Sequence, residues 1–72
     1  MIIFDYKSFG NVVSFKRKQA GLTQEQLSEK MNISAVYISY IENGNRKISL
    51  EMILRLINTL QITDICRFFK DV

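Results

Sequence analysis

Residues 23–44 read TQEQLSEKMNISAVYISYIENG, and the rest of the 72-residue chain can be interpreted around them. Thr23-Gln24-Glu25-Gln26 has the capping-box pattern, in which a threonine hydroxyl accepts an amide proton and a glutamine three residues on reaches back to the threonine N–H. A helix of about eight residues follows, with Leu27 and Met31 spaced four apart on its inward side. It stops at Asn32, a residue that tolerates the left-handed backbone a tight turn needs. Ile33 comes next, and Ser34 caps a further helix over residues 35–42, whose inward positions are Ile38 and Ile41. Asn43-Gly44 ends it. Small Ser28 lies where the first of these helices must let the second cross closely.

Two such short helices cannot bury their own apolar faces, so the flanking segments must close the core. Upstream, Phe9, Val12, Val13 and Ala20, with the Lys16 stem on the same stripe, recur at helical spacing over residues 7–20. Asp5 or Ser8 caps that segment and Gly21 ends it, leaving residues 1–5 as an irregular lead-in or a short extended segment. Downstream, residues 45–48 form a polar, basic loop, and Ser49 caps a fourth helix over residues 50–60. Leu50, Ile53, Leu54, Ile57 and Leu60 make its expected core stripe, with Met52 and Leu56 widening the apolar surface beyond one face. Thr63 caps a last short helix over residues 64–70 that carries Ile65, Phe68 and Phe69. The reading is all-α, a compact five-helix domain with short connections. Residues 1–72 make one unit, with its core in residues 7–70. A pair of helices joined by a turn of about three residues is a helix-turn-helix. Its geometry lets the second helix enter a major groove while the first lies across the backbone.

Composition narrows the chemistry. The chain is 47% hydrophobic and 24% charged, too apolar for disorder, and it has no proline and three glycines, poor punctuation for a β-rich fold. There is no histidine and a single cysteine, Cys66, so neither a disulfide framework, nor a zinc site of the usual ligands, nor histidine-based catalysis is available. No cofactor, metal or small-molecule ligand is expected, and no enzyme. No apolar run approaches the ~18 residues of a membrane span, and residues 1–4 are too short for a signal core, so the protein reads as cytoplasmic. The net charge of +3 permits a polyanionic partner without demanding one. Lys16-Arg17-Lys18 and Arg46-Lys47 are the two basic clusters. They form a phosphate-binding rim if folding brings them together, and solvated surface otherwise.

Several linked motifs then resemble one family, the phage-repressor-like XRE (Cro/CI-type) helix-turn-helix domains, whose fold is of the lambda-repressor-like DNA-binding type. They are Arg17, Gly21-Leu22-Thr23-Gln24, Glu25, Leu27, Ile33-Ser34, Ile38-Ser39, Ile41-Glu42-Asn43-Gly44, Arg46 and Ser49-Leu50 ahead of an apolar helix. The resemblance covers roughly residues 9–63, and Tyr37-Ile38-Ser39 is also similar to the controller proteins of restriction–modification systems. It implies a DNA-binding transcriptional regulator. Gln24, Asn43, Asn45, Arg46 and Lys47 match positions that hold DNA phosphates, with solvated charge as the alternative for Arg46 and Lys47. Arg17 and Glu42 match a structural ion pair tying the first helix to the end of the third.

Base reading falls to Ala35, Val36, Ser39 and Tyr40, with Ser34 and Tyr37 at the edges. Ser34 is assigned to phosphate, Tyr37 either to phosphate or to packing, and Tyr40 has packing against loops as its alternative. Here the chain departs from the commoner pattern. No basic or amide side chain stands between Ala35 and Tyr40, so methyl contacts, single hydroxyl hydrogen bonds and DNA shape must carry specificity. One short helix reads few base pairs, so the simplest reading is a small repressor bound as a homodimer to palindromic DNA. Met52, Leu56, Ile65, Phe68, Phe69 and Val72 are the candidate dimer residues, although Phe68 and Phe69 equally suit closure of the last helix onto the first. The apolar Ala35-Val36 keeps a second class open: a protein-interaction module on the same scaffold, serving as an antitoxin or an anti-repressor partner.

Overall fold

A computed structural model describes all 72 residues. The order is β1 (Ile2–Phe4), α1 (Tyr6–Gln19), α2 (Gln24–Met31), α3 (Ala35–Glu42), α4 (Leu50–Leu60), a 3-10 turn (Cys66–Phe68) and β2 (Phe69–Asp71). The caps at Asp5, Thr23, Ser34 and Ser49 are those the sequence suggests, whereas Thr63, expected to open a last helix, caps none. Asp5 accepts the Ser8 N–H at 3.1 Å, Ser34 that of Tyr37 at 3.0 Å and Ser49 that of Met52 at 3.1 Å. At α2 the capping box is complete, with Thr23 Oγ1 accepting the Gln26 N–H at 3.0 Å and Gln26 Oε1 accepting the Thr23 N–H at 2.8 Å. Asn32 ends α2 in the left-handed region, at φ 57°.

Leu27, Met31, Ile38 and Ile41 from the helix pair meet Phe9 and Val13 of α1, and Met52, Ile53, Leu56 and Leu60 of α4, in one core. Helix α1 crosses α3 at Gly10. A Cβ there would stand 2.3 Å from the Ile41 carbonyl oxygen and 2.9 Å from that of Glu42, so the crossing requires glycine. Ala20, expected on the α1 stripe, is exposed, and Arg17 takes the buried position instead.

Two further expectations fail. The expected fifth helix over residues 64–70 is a single 3-10 turn followed by a strand, so the fold has four α-helices and a small sheet. Strand β2 pairs antiparallel with β1 in the register Ile2 to Asp71, Ile3 to Lys70 and Phe4 to Phe69. Three-residue strands are not stable alone. Aromatic packing anchors these, because the fully buried Phe68 ring meets Phe9 edge-on at 5.2 Å and Phe4 meets Phe9 at 5.4 Å.

The phase of α4 is the second correction. Met52, Ile53, Leu56 and Leu60 face the core, whereas Leu50 is 70% and Leu54 49% exposed. Apolar residues cover roughly 200° of this helix at 100° per residue, so periodicity alone admits either phase. Arg55 resolves it, because its guanidinium donates to the Met31 carbonyl oxygen at the end of α2, which turns the 52/56 side inward.

Candidate nucleic-acid interface

Helix α3 presents a narrow outward face. Val36 is 66% and Tyr40 54% exposed, while Ala35 and Ser39 flank them half-buried. Of the edge residues, Tyr37 is half-buried and packed against the core, and the Ser34 hydroxyl is engaged as the α3 cap. No charged side chain interrupts the face before Glu42, at the helix end.

Glu42 is the hub of a buried polar network. Arg17 donates to it through Nε at 2.6 Å and Nη2 at 3.0 Å, and spends Nη1 on the Leu22 carbonyl oxygen at 2.8 Å. Gln24 Nε2, at the first position of α2, donates to the same carboxylate at 3.2 Å. One carboxylate thus joins α1, the start of α2 and the end of α3, which fixes α3 relative to α1 and α2. Burial works to raise the Glu42 carboxyl, but hydrogen bonds from Arg17 and Gln24, the Arg17 charge and a hydrogen bond from Ser14 together hold it below the ordinary carboxylate range. The Glu42 hydrogen bond raises Arg17 further against the opposing effect of burial, so the pair is charged at neutral pH.

Beyond Asn43 the chain turns at Gly44, φ 83°, into the loop carrying Asn45, Arg46 and Lys47. Asn45 shapes this loop by donating its N–H to the Tyr40 carbonyl oxygen at 3.1 Å and accepting the Lys47 N–H on Oδ1 at 2.8 Å. Asn43, Arg46 and Lys47 are exposed, and the two cations make no hydrogen bond or ion pair through their side chains. Free cations beside the end of an exposed helix suit phosphate oxygens.

The other basic cluster does not form. Arg17 turns inward to Glu42, Lys16 lines a hollow beside Asp64 and Arg67, and Lys18 alone points freely to solvent. Val12 and Lys16, which line that hollow, lie on the side of α1 turned away from Gly10 and therefore from α3. Sequence reasoning passed over Lys7, whose backbone lies against the Gly44 turn: a Cβ on Gly44 would stand 3.0 Å from the Lys7 Cα. Only its spacing three residues before Gly10 signalled that side of α1.

The candidate dimer residues divide. Met52, Leu56 and Phe68 are buried within the chain and unavailable to a partner, whereas Ile65, Phe69 and Val72 are exposed. Ile65 and Phe69 join Phe4, Leu50, Leu54 and Ile57 around a groove of about 230 Å³ lined only by hydrophobic side chains. No group of three or more metal-ligating side chains converges anywhere, and no helix is long and apolar enough to cross a membrane.

Comparison with curated proteins returns no match. A family model described as helix-turn-helix matches residues 15–65, more than two thirds of the chain, and spans the Arg17–Glu42 network, α2, α3 and the following loop. That family is regulatory rather than enzymatic, and it binds DNA. The chain therefore belongs to the XRE (Cro/CI-type) helix-turn-helix family of DNA-binding regulators.

Proposed function

We propose that the protein is a small cytoplasmic repressor, a single unit over residues 1–72, that binds a palindromic operator as a homodimer with α3 in the major groove. The observation that carries this reading is the exposed Val36–Tyr40 face, held in place through Glu42 and followed at once by the unpaired cations Arg46 and Lys47. Val36 and the half-buried Ala35 offer methyl groups to thymine, and the Ser39 and Tyr40 hydroxyls offer single hydrogen bonds to base edges. Such contacts discriminate weakly, so groove shape contributes to site choice. Asn43, Asn45, Arg46 and Lys47 hold phosphates on one side. Gln24 holds one on the other, its second amide proton remaining free while the first serves Glu42. Ser34 and Tyr37 act through the fold, as cap and packing, more than through DNA.

Dimerisation is proposed through the apolar groove, with Leu50 and Leu54 joining Ile65 and Phe69. Half-sites on one DNA face lie about 34 Å apart, close to the 36 Å longest dimension of the molecule. Occupying promoter DNA is then enough to repress it. Selection of bound duplexes from a random pool tests the proposal. An inverted repeat with half-site centres about 10 base pairs apart is expected. A single unrepeated motif refutes the dimer, and a pool that stays random refutes sequence-specific regulation.

A further inference from the structure

Lys7 lies in the first turn of α1 on the side that faces α3, three residues before Gly10, where α1 touches the Ile41 and Glu42 carbonyls. Its backbone supports the Gly44 turn, so the first turn of α1 stands directly beside the loop that leaves the recognition helix. A cleft of about 190 Å³ opens between them, and its charged lining is Asp5, Lys7, Arg46 and Lys70. Two of these charges cancel. Lys70 Nζ sits 2.9 Å from Asp5 Oδ2, and the same carboxylate accepts the Ser8 hydroxyl at 2.7 Å and the Ser8 N–H at 3.1 Å. Lys7 and Arg46 have no partner of either kind and remain as two free cations on one cleft.

We infer that Lys7 is a DNA-backbone contact which, with Arg46, clamps phosphates beyond the C-terminal end of α3. The clamp rests on the reading that α3 enters the major groove, and it gives the β1–β2 ladder a role. Pairing brings Lys70 to Asp5, Asp5 caps α1, and the capped first turn sets Lys7 beside the loop. Asp5 thereby anchors the site without repelling phosphate.

The test is the salt dependence of duplex binding by the full chain for wild type, Lys7→Gln, Lys7→Arg, Arg46→Gln and Arg67→Gln. Arg67 lies by the hollow on the far side of α1 and serves as a charge-matched control. Loss of one phosphate contact makes the slope of log K against log salt shallower by about 0.9. Lys7→Gln is expected to show that change, with equal weakening on selected and random duplexes. Lys7→Arg is expected to restore the wild-type slope, and Arg67→Gln to keep it. Thermal melting checks that each variant is folded. A wild-type slope for Lys7→Gln overturns the inference, as does an equal change for Arg67→Gln. Arg46→Gln separates the two levels: if it alone flattens the slope, the major-groove reading stands without the clamp. If neither it nor Lys7→Gln does, the loop contacts fall as well.

Discussion

Replacing Glu42 by alanine removes the carboxylate that three elements share. The Arg17 and Glu42 side chains are only 9% and 8% exposed, so the loss leaves a guanidinium nearly out of water with a single remaining acceptor, the Leu22 carbonyl oxygen. Removing one partner of a buried ion pair typically destabilises by about 3–5 kcal/mol. A chain of this length has about 4–11 kcal/mol of total stability, so even the low end takes a large fraction of it. A loss of about 3 kcal/mol corresponds to roughly 12–24 °C in melting temperature for a domain of this size. Urea unfolding at neutral pH, followed by circular dichroism, measures the change directly. Arg17→Met is expected to lose a similar amount, since it strands Glu42 on Gln24 and Ser14. The double variant Arg17→Met/Glu42→Leu is expected to recover most of that loss, because apolar side chains of similar volume tolerate the same cavity. Single losses below about 1 kcal/mol, or losses that simply add in the double variant, refute the claim that this pair holds the helix-turn-helix in place.

The same carboxylate makes stability depend on acid. Glu42 and Asp5 are both held below their ordinary values of 4.5 and 3.8, so their contribution is complete above those values and lost as pH falls through them towards the lower folded values. Melting temperature is expected to drop between pH 5 and pH 2, and by less in Glu42→Gln; equal drops in both proteins contradict the assignment. Gly10→Ala improves intrinsic helix propensity by about 1 kcal/mol. It is nevertheless expected to destabilise by about 1–3 kcal/mol, because the new methyl meets the Ile41 carbonyl, and a more stable variant is the contrary result. Phe68→Ala is expected to lose about 3–5 kcal/mol of stability, whereas Phe69→Ala leaves folding nearly unchanged and weakens self-association in sedimentation. The reverse pattern contradicts the division of the two rings. Arg46→Ala is expected to weaken selected and random duplexes alike, and Tyr40→Ala to narrow the gap between them. Equal losses on both duplexes for Tyr40→Ala remove its base-reading role.

Local signals carried most of this fold. The capping box at Thr23, the left-handed Asn32, and the Ser34 and Ser49 caps depend on neighbours within four residues; α2, α3 and α4 begin where those caps put them, and α2 ends at Asn32. The segment over residues 64–70 depends instead on the opposite end of the chain. Phe69–Asp71 is extended because Ile2–Phe4 pairs with it, and a pairing across nearly the whole sequence leaves no local trace. Helix α4 failed in phase for a different reason: Leu50, Met52, Leu54 and Leu56 are all apolar, and only the reach of Arg55 to Met31 tells inward from outward. The surplus apolar face was therefore legible as a surplus, but not as the Leu50–Leu54 side. At the site, the Arg17–Glu42 pair followed from family likeness and is present in the geometry. Of the two readings left open for Lys16-Arg17-Lys18, the joint phosphate rim is absent, because helical spacing sends three consecutive side chains in three directions.

The central claim is that DNA meets this protein at α3 and the loop after it. Amide chemical-shift mapping of the isotope-labelled protein, titrated with a selected duplex, tests that most directly. The largest changes are expected at Gln24, across residues 35–40 and across residues 43–47, with the Leu50 and Leu54 amides little affected by DNA itself. Changes centred on the Leu54–Phe69 groove, with α3 silent, would contradict it.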